Sequence, residues 1–325
     1  MIDRVINKLK RISNDFIFNT GNFSPLRLRN TKNTILIYHG TPGVGNTRFN
    51  SRHTSRQDFK AHVAFLKKYC HVITLQRFFE GDFIPGKPNI ALTFDDGYRN
   101  NFIHAKPILE EAGVPGTFFI TGLNETESDI LWPDFLNIAS VLSEENVKID
   151  GEEFSKKNGV YHSVQSGESI YSIIKEKKAG WDFKQDMIGA FSAIAGFKKD
   201  EAFDEYWKLM TDDEIRACAD SEFIEIGSHG FFHNNLGTIS LTDARSELMK
   251  SKTYLENLIQ KPVISLGYPD GSYSREVIDA AEKVGFKYQS AVSYLFDADV
   301  NDPRILDRKG VYSCDSTGND LLANL

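Results

Sequence analysis

Apolar positions fall along the chain in two kinds of run: short continuous stretches, and longer stretches spaced for a helix. Thr34-Ile35-Leu36-Ile37-Tyr38 is a β-branched run ending at His39-Gly40, and Asn89 to Phe94 is a mostly apolar run ended by the turn signal Asp95-Asp96-Gly97; both read as buried strands. Between them, Phe59, Val63, Leu66 and Cys70 share one face of a helix over Arg56 to Cys70, and His71 to Leu75 reads as a strand. A helix through Phe102, Ala105, Ile108 and Leu109 stops at Gly113, and Thr117 to Thr121 is the next strand. The same alternation resumes late in the chain. Phe223 to Gly227, Pro262 to Tyr268 and Tyr288 to Val292 read as strands, with helices over Leu241 to Gln260 (cap candidates Ser240 and Thr242) and Ser274 to Val284. Buried strands alternating with helices predict an α/β fold with a parallel sheet or barrel.

Residues from about Leu123 to Asp220 break the rhythm. They read as mainly helical, with a charged, hairpin-like patch around Lys148 to Lys157, and they hold all three tryptophans, Trp132, Trp181 and Trp207. This predicts an insertion or lid on the barrel, because long insertions between elements are usually functional or disordered. The expected organisation is an N-terminal amphipathic helix and linker over 1–32, barrel segments over 33–122 and 221–325, and the helical insertion over 123–220.

Composition narrows the setting. The chain has 325 residues, 41% hydrophobic and 26% charged, as in ordinary globular proteins. A net charge of -7 argues against a general nucleic-acid binder. Cys70, Cys218 and Cys314 are far apart, which fits a reducing compartment without disulfides or thiolate metal sites. Ile2, Val5, Ile6, Leu9, Ile12 and Phe16 recur at helical spacing among Arg4, Lys8, Lys10 and Arg11, so a signal peptide's apolar core is missing. The expectation is a cytoplasmic protein whose basic N-terminal helix packs across the underside of the domain, or lies peripherally on the cytoplasmic face of the inner membrane.

Two clusters carry candidate chemistry. Asp95 and Asp96 end a strand, where successive side chains project to different sides, so one carboxylate can ligate a metal while the other handles a proton. His229 and His233 follow another strand; four apart on a helical turn, they reach one ion from one face. Both clusters should emerge on one rim of a parallel barrel. Two neutral imidazoles and one carboxylate suit zinc or another divalent first-row metal, with open positions for water and a substrate oxygen.

Thr93-Phe-Asp-Asp-Gly-Tyr98, Ser228-His-Gly-Phe-Phe-His233 and Tyr268-Pro-Asp-Gly271 together resemble the signature motifs of the polysaccharide deacetylases, carbohydrate esterase family 4. Ile37-Tyr-His-Gly40 and Asp307-Arg-Lys-Gly310 resemble a bacterial branch of that family with an N-terminal Tyr-His strand end. The resemblance covers residues 34–122 and 223–312, and it implies a distorted (β/α)7-type barrel. It implies Asp96, His229 and His233 as metal ligands for a divalent ion, zinc first, with cobalt, nickel or manganese as alternatives. It implies Asp95 as general base and the Asp270 N–H as a donor to the oxyanion, with Tyr268 as a further substrate contact; Trp132, in the insertion outside the resemblance, is a candidate contact because aromatic rings stack on sugar faces. The chain departs from the family in having no histidine after His233 and in carrying Gly267 where the family has an arginine. His39 then stands in as the general acid, and Arg308 as the group orienting Asp95.

The function these readings imply is metal-dependent removal of acetyl from an N-acetylated sugar, in a glycan or glycan precursor of capsule or lipopolysaccharide type. The alternatives are an inactive carbohydrate-binding barrel, or a hydrolase of another acyl or formyl amide or of an ester.

Overall fold

Strands β1 (Thr34–Tyr38) and β3 (Asn89–Phe94) pair in parallel over their whole length, from Thr34 opposite Ile90 to Tyr38 opposite Phe94. Every residue of β3 is buried, as a continuous apolar run requires when both faces of a sheet are covered. On its other side follow β4 (Gly116–Ile120), β8 (Ile224–Ser228), β9 (Ser265–Gly267) and β10 (Tyr288–Ala291), all parallel. The ring closes through one short segment. Its first half, β11 (Ile305–Asp307), pairs with β10, and its second half, β12 (Lys309–Gly310), pairs with β1. Arg308 is the single residue between them. Counting that segment as one stave gives a distorted (β/α)7-type barrel, with the short β2 (His71–Val72) as a side pairing on β3. The computed structural model describes residues 12–16, 18, 32–43, 49–143, 145–176, 180–312 and 316–325.

Alternate residues of the staves face different cores. Leu36, Tyr38, Ile90, Leu92, Phe94 and Phe118 join the helices in the outer core, while Ile35, Ala91 and Phe119 meet Ile73, Leu75 and Phe78 in a smaller cluster. This second cluster corrects one expectation. Only His71–Val72 of the predicted strand over His71 to Leu75 is extended, because Thr74 acts as a cap: its hydroxyl accepts from the Arg77 N–H at 3.2 Å and starts the helix Leu75–Phe79. The helix after the Asp-Asp turn also begins differently, as a wide π-type turn over Asn101–Ala105 before the regular helix Lys106–Ala112. It is held by Asn101 Nδ2 on the His39 carbonyl at 2.9 Å and by the Thr41 N–H on Asn100 Oδ1 at 2.8 Å.

The residues between β4 and β8 build a core of their own, with Trp132, Phe135, Phe154, Tyr161, Met187 and Trp207 buried together. The charged patch is a hairpin, β5 (Val147–Ile149) and β6 (Glu152–Lys157), extended by β7 (Val160–Ser163) into a three-stranded antiparallel sheet. Its turns are Asp150-Gly151 and Asn158-Gly159, each with both residues at positive φ, as two-residue hairpins require. The end of this segment is stitched to the Asp-Asp turn: Tyr98 bridges Leu209, and the Met210 N–H donates to the Gly97 carbonyl at 2.9 Å.

At the N-terminus, Asn14 donates to Asn319 at 3.1 Å and Phe18 stacks on Phe65 at 5.4 Å. Asn14 and Phe18 therefore lie against the helices Arg56–Tyr69 and Thr317–Leu322. Ile2, Val5, Ile6 and Leu9, the linker residues up to 31, and Cys314 lie outside the described residues. Cys70 and Cys218 are buried free thiols. Among the described residues no helix is long and apolar enough to cross a membrane.

Candidate active site

The parity of β3 aims Asp95 inward, on the same side as Ala91 and Thr93. The chain then leaves the sheet through two left-handed residues, Asp96 at φ 77° and Gly97 at φ 81°. A Cβ on Gly97 would also meet Ile120 at 3.3 Å, so the third position takes glycine on both counts. The turn sends the Asp96 carboxylate away from its neighbour and toward the histidines: Oδ1 lies 3.3 Å from His229 Nε2 and 3.2 Å from His233 Nε2.

The two histidines reach this point without the expected helical turn. Gly230 at φ 74° and His233 at φ 53° break any helix after β8, and the segment is a pinned loop. Glu247 accepts from the N–H groups of Phe232 (3.0 Å) and Asn234 (3.2 Å), and Asn234 Nδ2 donates to its second oxygen at 2.9 Å. Lys184, from the insertion, donates to the His233 carbonyl and to Asn234 Oδ1, both at 2.8 Å. His229 Nδ1 lies 2.8 Å from the Gly267 carbonyl. A carbonyl only accepts, so Nδ1 carries the proton and the Nε2 lone pair faces Asp96.

The donor set fits a metal. Ligand atoms about 2.0–2.2 Å from one ion, at angles of roughly 90–110°, stand about 2.9–3.5 Å apart; the measured 3.2 and 3.3 Å fall in that interval. Asp96, His229 and His233 form a buried potential metal-holding group, and both Asp96 oxygens and His233 Nδ1 have no hydrogen-bond partner. Burial would raise the Asp96 pKa, but the two imidazoles and Arg52 outweigh it and hold the group well below the usual carboxylate range. Burial lowers His233, whereas Asp95 and Asp96 overcome burial and raise His229. The site thus favours positive charge at the point the three ligand atoms share.

Asp95 is held by Arg308, whose two terminal nitrogens reach its two oxygens at 2.7 and 2.9 Å. Arg308 is fully buried and also donates to Thr93 Oγ1 at 3.0 Å. Against the penalty of burial, this guanidinium and His229 lower the Asp95 pKa. Gly267 leaves no space for a side chain unless its neighbours shift, since a Cβ there would meet Phe119 at 3.0 Å and His229 Nδ1 at 3.3 Å.

Asp95, Asp96, His229 and His233 line one cavity of about 350 Å³ together with His39 and Asp270. His39 is buried, and burial followed by Arg52 pushes its pKa down to about 4. Asp270, at φ 53°, is ion-paired with Lys175 at 2.9 Å. Two other expected residues are elsewhere. The Tyr268 hydroxyl donates to Gln289 at 2.5 Å and its ring packs on Tyr273, because strand parity turns it into the outer core. Trp132 is in the insertion's core, where it meets Tyr171 at 5.1 Å; Tyr171, not Trp132, lines the cavity. Arg52, Lys175 and Tyr171 were not anticipated as cavity residues. Arg52 and Tyr171 sit in a polar loop and an insertion with no motif, and only the third dimension brings them to the rim.

The family model for polysaccharide deacetylases matches residues 84–150 and 183–289, more than half of the chain. The curated protein YxkH of Bacillus subtilis (strain 168), which carries a provisional polysaccharide-deacetylase name, is 20% identical over 257 residues, covering 78% of this chain and 62% of that protein. Among solved structures, the Streptococcus pyogenes deacetylase PplD in complex with acetate superposes with a TM-score of 0.58 at 16% identity, covering 90% of this chain and 98% of that one. The de-N-acetylase of Aggregatibacter actinomycetemcomitans gives 0.53 at 13%, with 87% and 96% covered. IcaB from Ammonifex degensii gives 0.51 at 13%, with 86% and 91% covered. Likeness at such identity establishes the shared fold, and the sequence match carries the rest. Because the Asp95-Asp96 turn and the His229–His233 loop both lie inside the matched segments, the chain belongs to the polysaccharide deacetylase family.

Proposed function

We propose that this chain is a metal-dependent N-deacetylase acting on the acetamido group of an N-acetylated sugar, in a glycan or glycan precursor of capsule or lipopolysaccharide type. The observation that carries the reading is a carboxylate fixed by a buried guanidinium, Asp95 on Arg308, beside the Asp96–His229–His233 group in one cavity. Those three residues would hold the ion. A divalent cation there polarises an amide carbonyl and lowers the pKa of water toward about 7.

The chain's own residues supply the proton chemistry. Asp95 stays ionised, and the Arg308 fork fixes the carboxylate plane, so it serves as the base that takes a proton from the attacking water. The Asp270 N–H, presented at a left-handed turn, is the donor for the tetrahedral oxygen. His39 is the donor to the leaving amine. It is neutral in the free protein at pH 7; as negative charge builds on the tetrahedral centre it takes up the proton that Asp95 removed from water and passes it to the amine nitrogen as the C–N bond breaks. Pro133, Asn137, Tyr171 and Lys175 supply the part of the wall contributed by the insertion.

The test combines metal analysis of purified protein with acetate release from N-acetylated glycans. Asp95→Asn should keep the metal and abolish release, and His39→Ala should keep the metal and lose most turnover. Bound metal with no release from any N-acetylated glycan favours the carbohydrate-binding alternative. Unchanged turnover in His39→Ala moves the acid role to another group.

A further inference from the structure

Among the described residues, two of the three cationic side chains around the cavity grip a carboxylate closely and the third does not. Asp95 has Arg308, and Asp270 has Lys175. Arg52 enters the cavity from the loop after β1, and the nearest carboxylate oxygen among the described residues, Asp134 Oδ1, is 3.8 Å away. That carboxylate is already occupied: Asn50 Nδ2 donates to Oδ1 at 2.8 Å, and the Tyr98 hydroxyl donates to Oδ2 at 2.7 Å. Arg52 Nε has only a long contact, 3.4 Å to Asn50 Oδ1. The side chain is nonetheless 27% exposed, so most of it has left water.

A guanidinium carries five N–H donors in a planar fork and is satisfied by a bidentate acid. Arg52 has been partly desolvated without that partner, an arrangement that costs stability and gains only if a ligand completes it. Burial also pushes Asp134 up to about 7, so this neighbour does not fully neutralise the arginine. Around the site Arg52, Lys175 and Arg308 balance Asp95, Asp96 and Asp270, and a dication at the Asp96–His229–His233 group would leave the cavity net positive. A neutral sugar does not use that excess.

We propose that Arg52, with Lys175 from the insertion, binds an anionic group, a carboxylate or a phosphate, carried by the substrate next to its acetamido sugar. The inference rests on the deacetylase reading and names the substrate class of that same cavity. Arg52 presents the fork; Lys175 keeps its bond to Asp270 and turns a remaining N–H to the same anion.

The test is calorimetric binding to the full metal-loaded chain, using three probes. These are a hyaluronan tetrasaccharide (carboxylate), N-acetylglucosamine 6-phosphate (phosphate) and tetra-N-acetylchitotetraose (neutral). At least one anionic probe should bind more tightly than the neutral one, and which of the two does so identifies the anion. Arg52→Gln should weaken that probe about tenfold or more while leaving the neutral one within about twofold, with Arg52→Lys intermediate. Metal content and circular dichroism of each variant check that the fold survives. Equal binding of charged and neutral probes by the wild type, or an equal loss for both in Arg52→Gln, overturns the proposal. Acetate release is scored separately. Release from neutral glycans without anion preference retires this inference and keeps the deacetylase, whereas Arg52-dependent anion binding without release does the reverse.

Discussion

Replacing Arg308 by methionine removes both bonds to a carboxylate that is only 4% exposed. Two outcomes compete for Asp95. It can stay charged and unpaired, which costs about 3–5 kcal/mol in a buried site. It can instead take a proton; from its ordinary pKa of 3.8 this costs about 4 kcal/mol at pH 7 and about 2 kcal/mol at pH 5. The cheaper route sets the loss. The variant should therefore be less stable than wild type by about 4 kcal/mol at pH 7, narrowing to about 2 kcal/mol at pH 5. The sign follows from linkage. In wild type the lowered Asp95 pKa contributes stability that is present throughout this range and lost only at more acid pH, so the change comes from the variant. Urea unfolding of metal-free protein at both pH values measures it. Acetate release by Arg308→Met should fall by a factor on the order of 10² or more, with Arg308→Lys between the two because one ammonium cannot grip both oxygens. A loss below about 1 kcal/mol that does not vary with pH would mean that Asp95 is solvated, and the account of the pair would fail.

Lys184→Met should weaken metal binding about 10–100-fold by calorimetric titration, since it frees the carbonyl of the left-handed His233. Stability of the metal-free protein should change little, because burial already pushes this ammonium down to about 8; unchanged affinity would exclude the clamp. His62 is buried between the Tyr38 hydroxyl and the Thr317 carbonyl, and burial pushes it down to about 4 from 6.5. The unfolded chain takes up this proton first, so stability is lost as pH falls from 6.5 toward 4, by up to about 3 kcal/mol. The advantage of wild type over His62→Gln in urea should therefore shrink by about 2–3 kcal/mol between pH 7 and 4.5, and a constant difference would count against it.

Local chemistry was enough to read the staves and the two halves of the candidate metal group. The β-branched run of β1 and the apolar run of β3 have no other way to be buried, and each ends in polar residues that a parallel barrel must collect on one rim. Side-chain capping was misread at Thr74, where a β-branched residue began a helix. The histidine pair converges through left-handed turns, a geometry that residue spacing does not encode. Tyr268 and Trp132 belong to the motif and the insertion, yet their packing turns them into cores.

The order of apolar runs and the motifs thus determined the barrel and its family, and singled out Asp95, Asp96, His229 and His233 as the candidate site. Tertiary structure alone decided what surrounds them: Arg308 beneath Asp95 at the segment that closes the ring, Lys184 behind His233, and Arg52 with Lys175 at the cavity wall. The physical reason is range. Strand burial and turn chemistry act between near neighbours, whereas a charge is assigned its partner by whichever segments folding brings within a few ångströms, here as much as 213 positions apart.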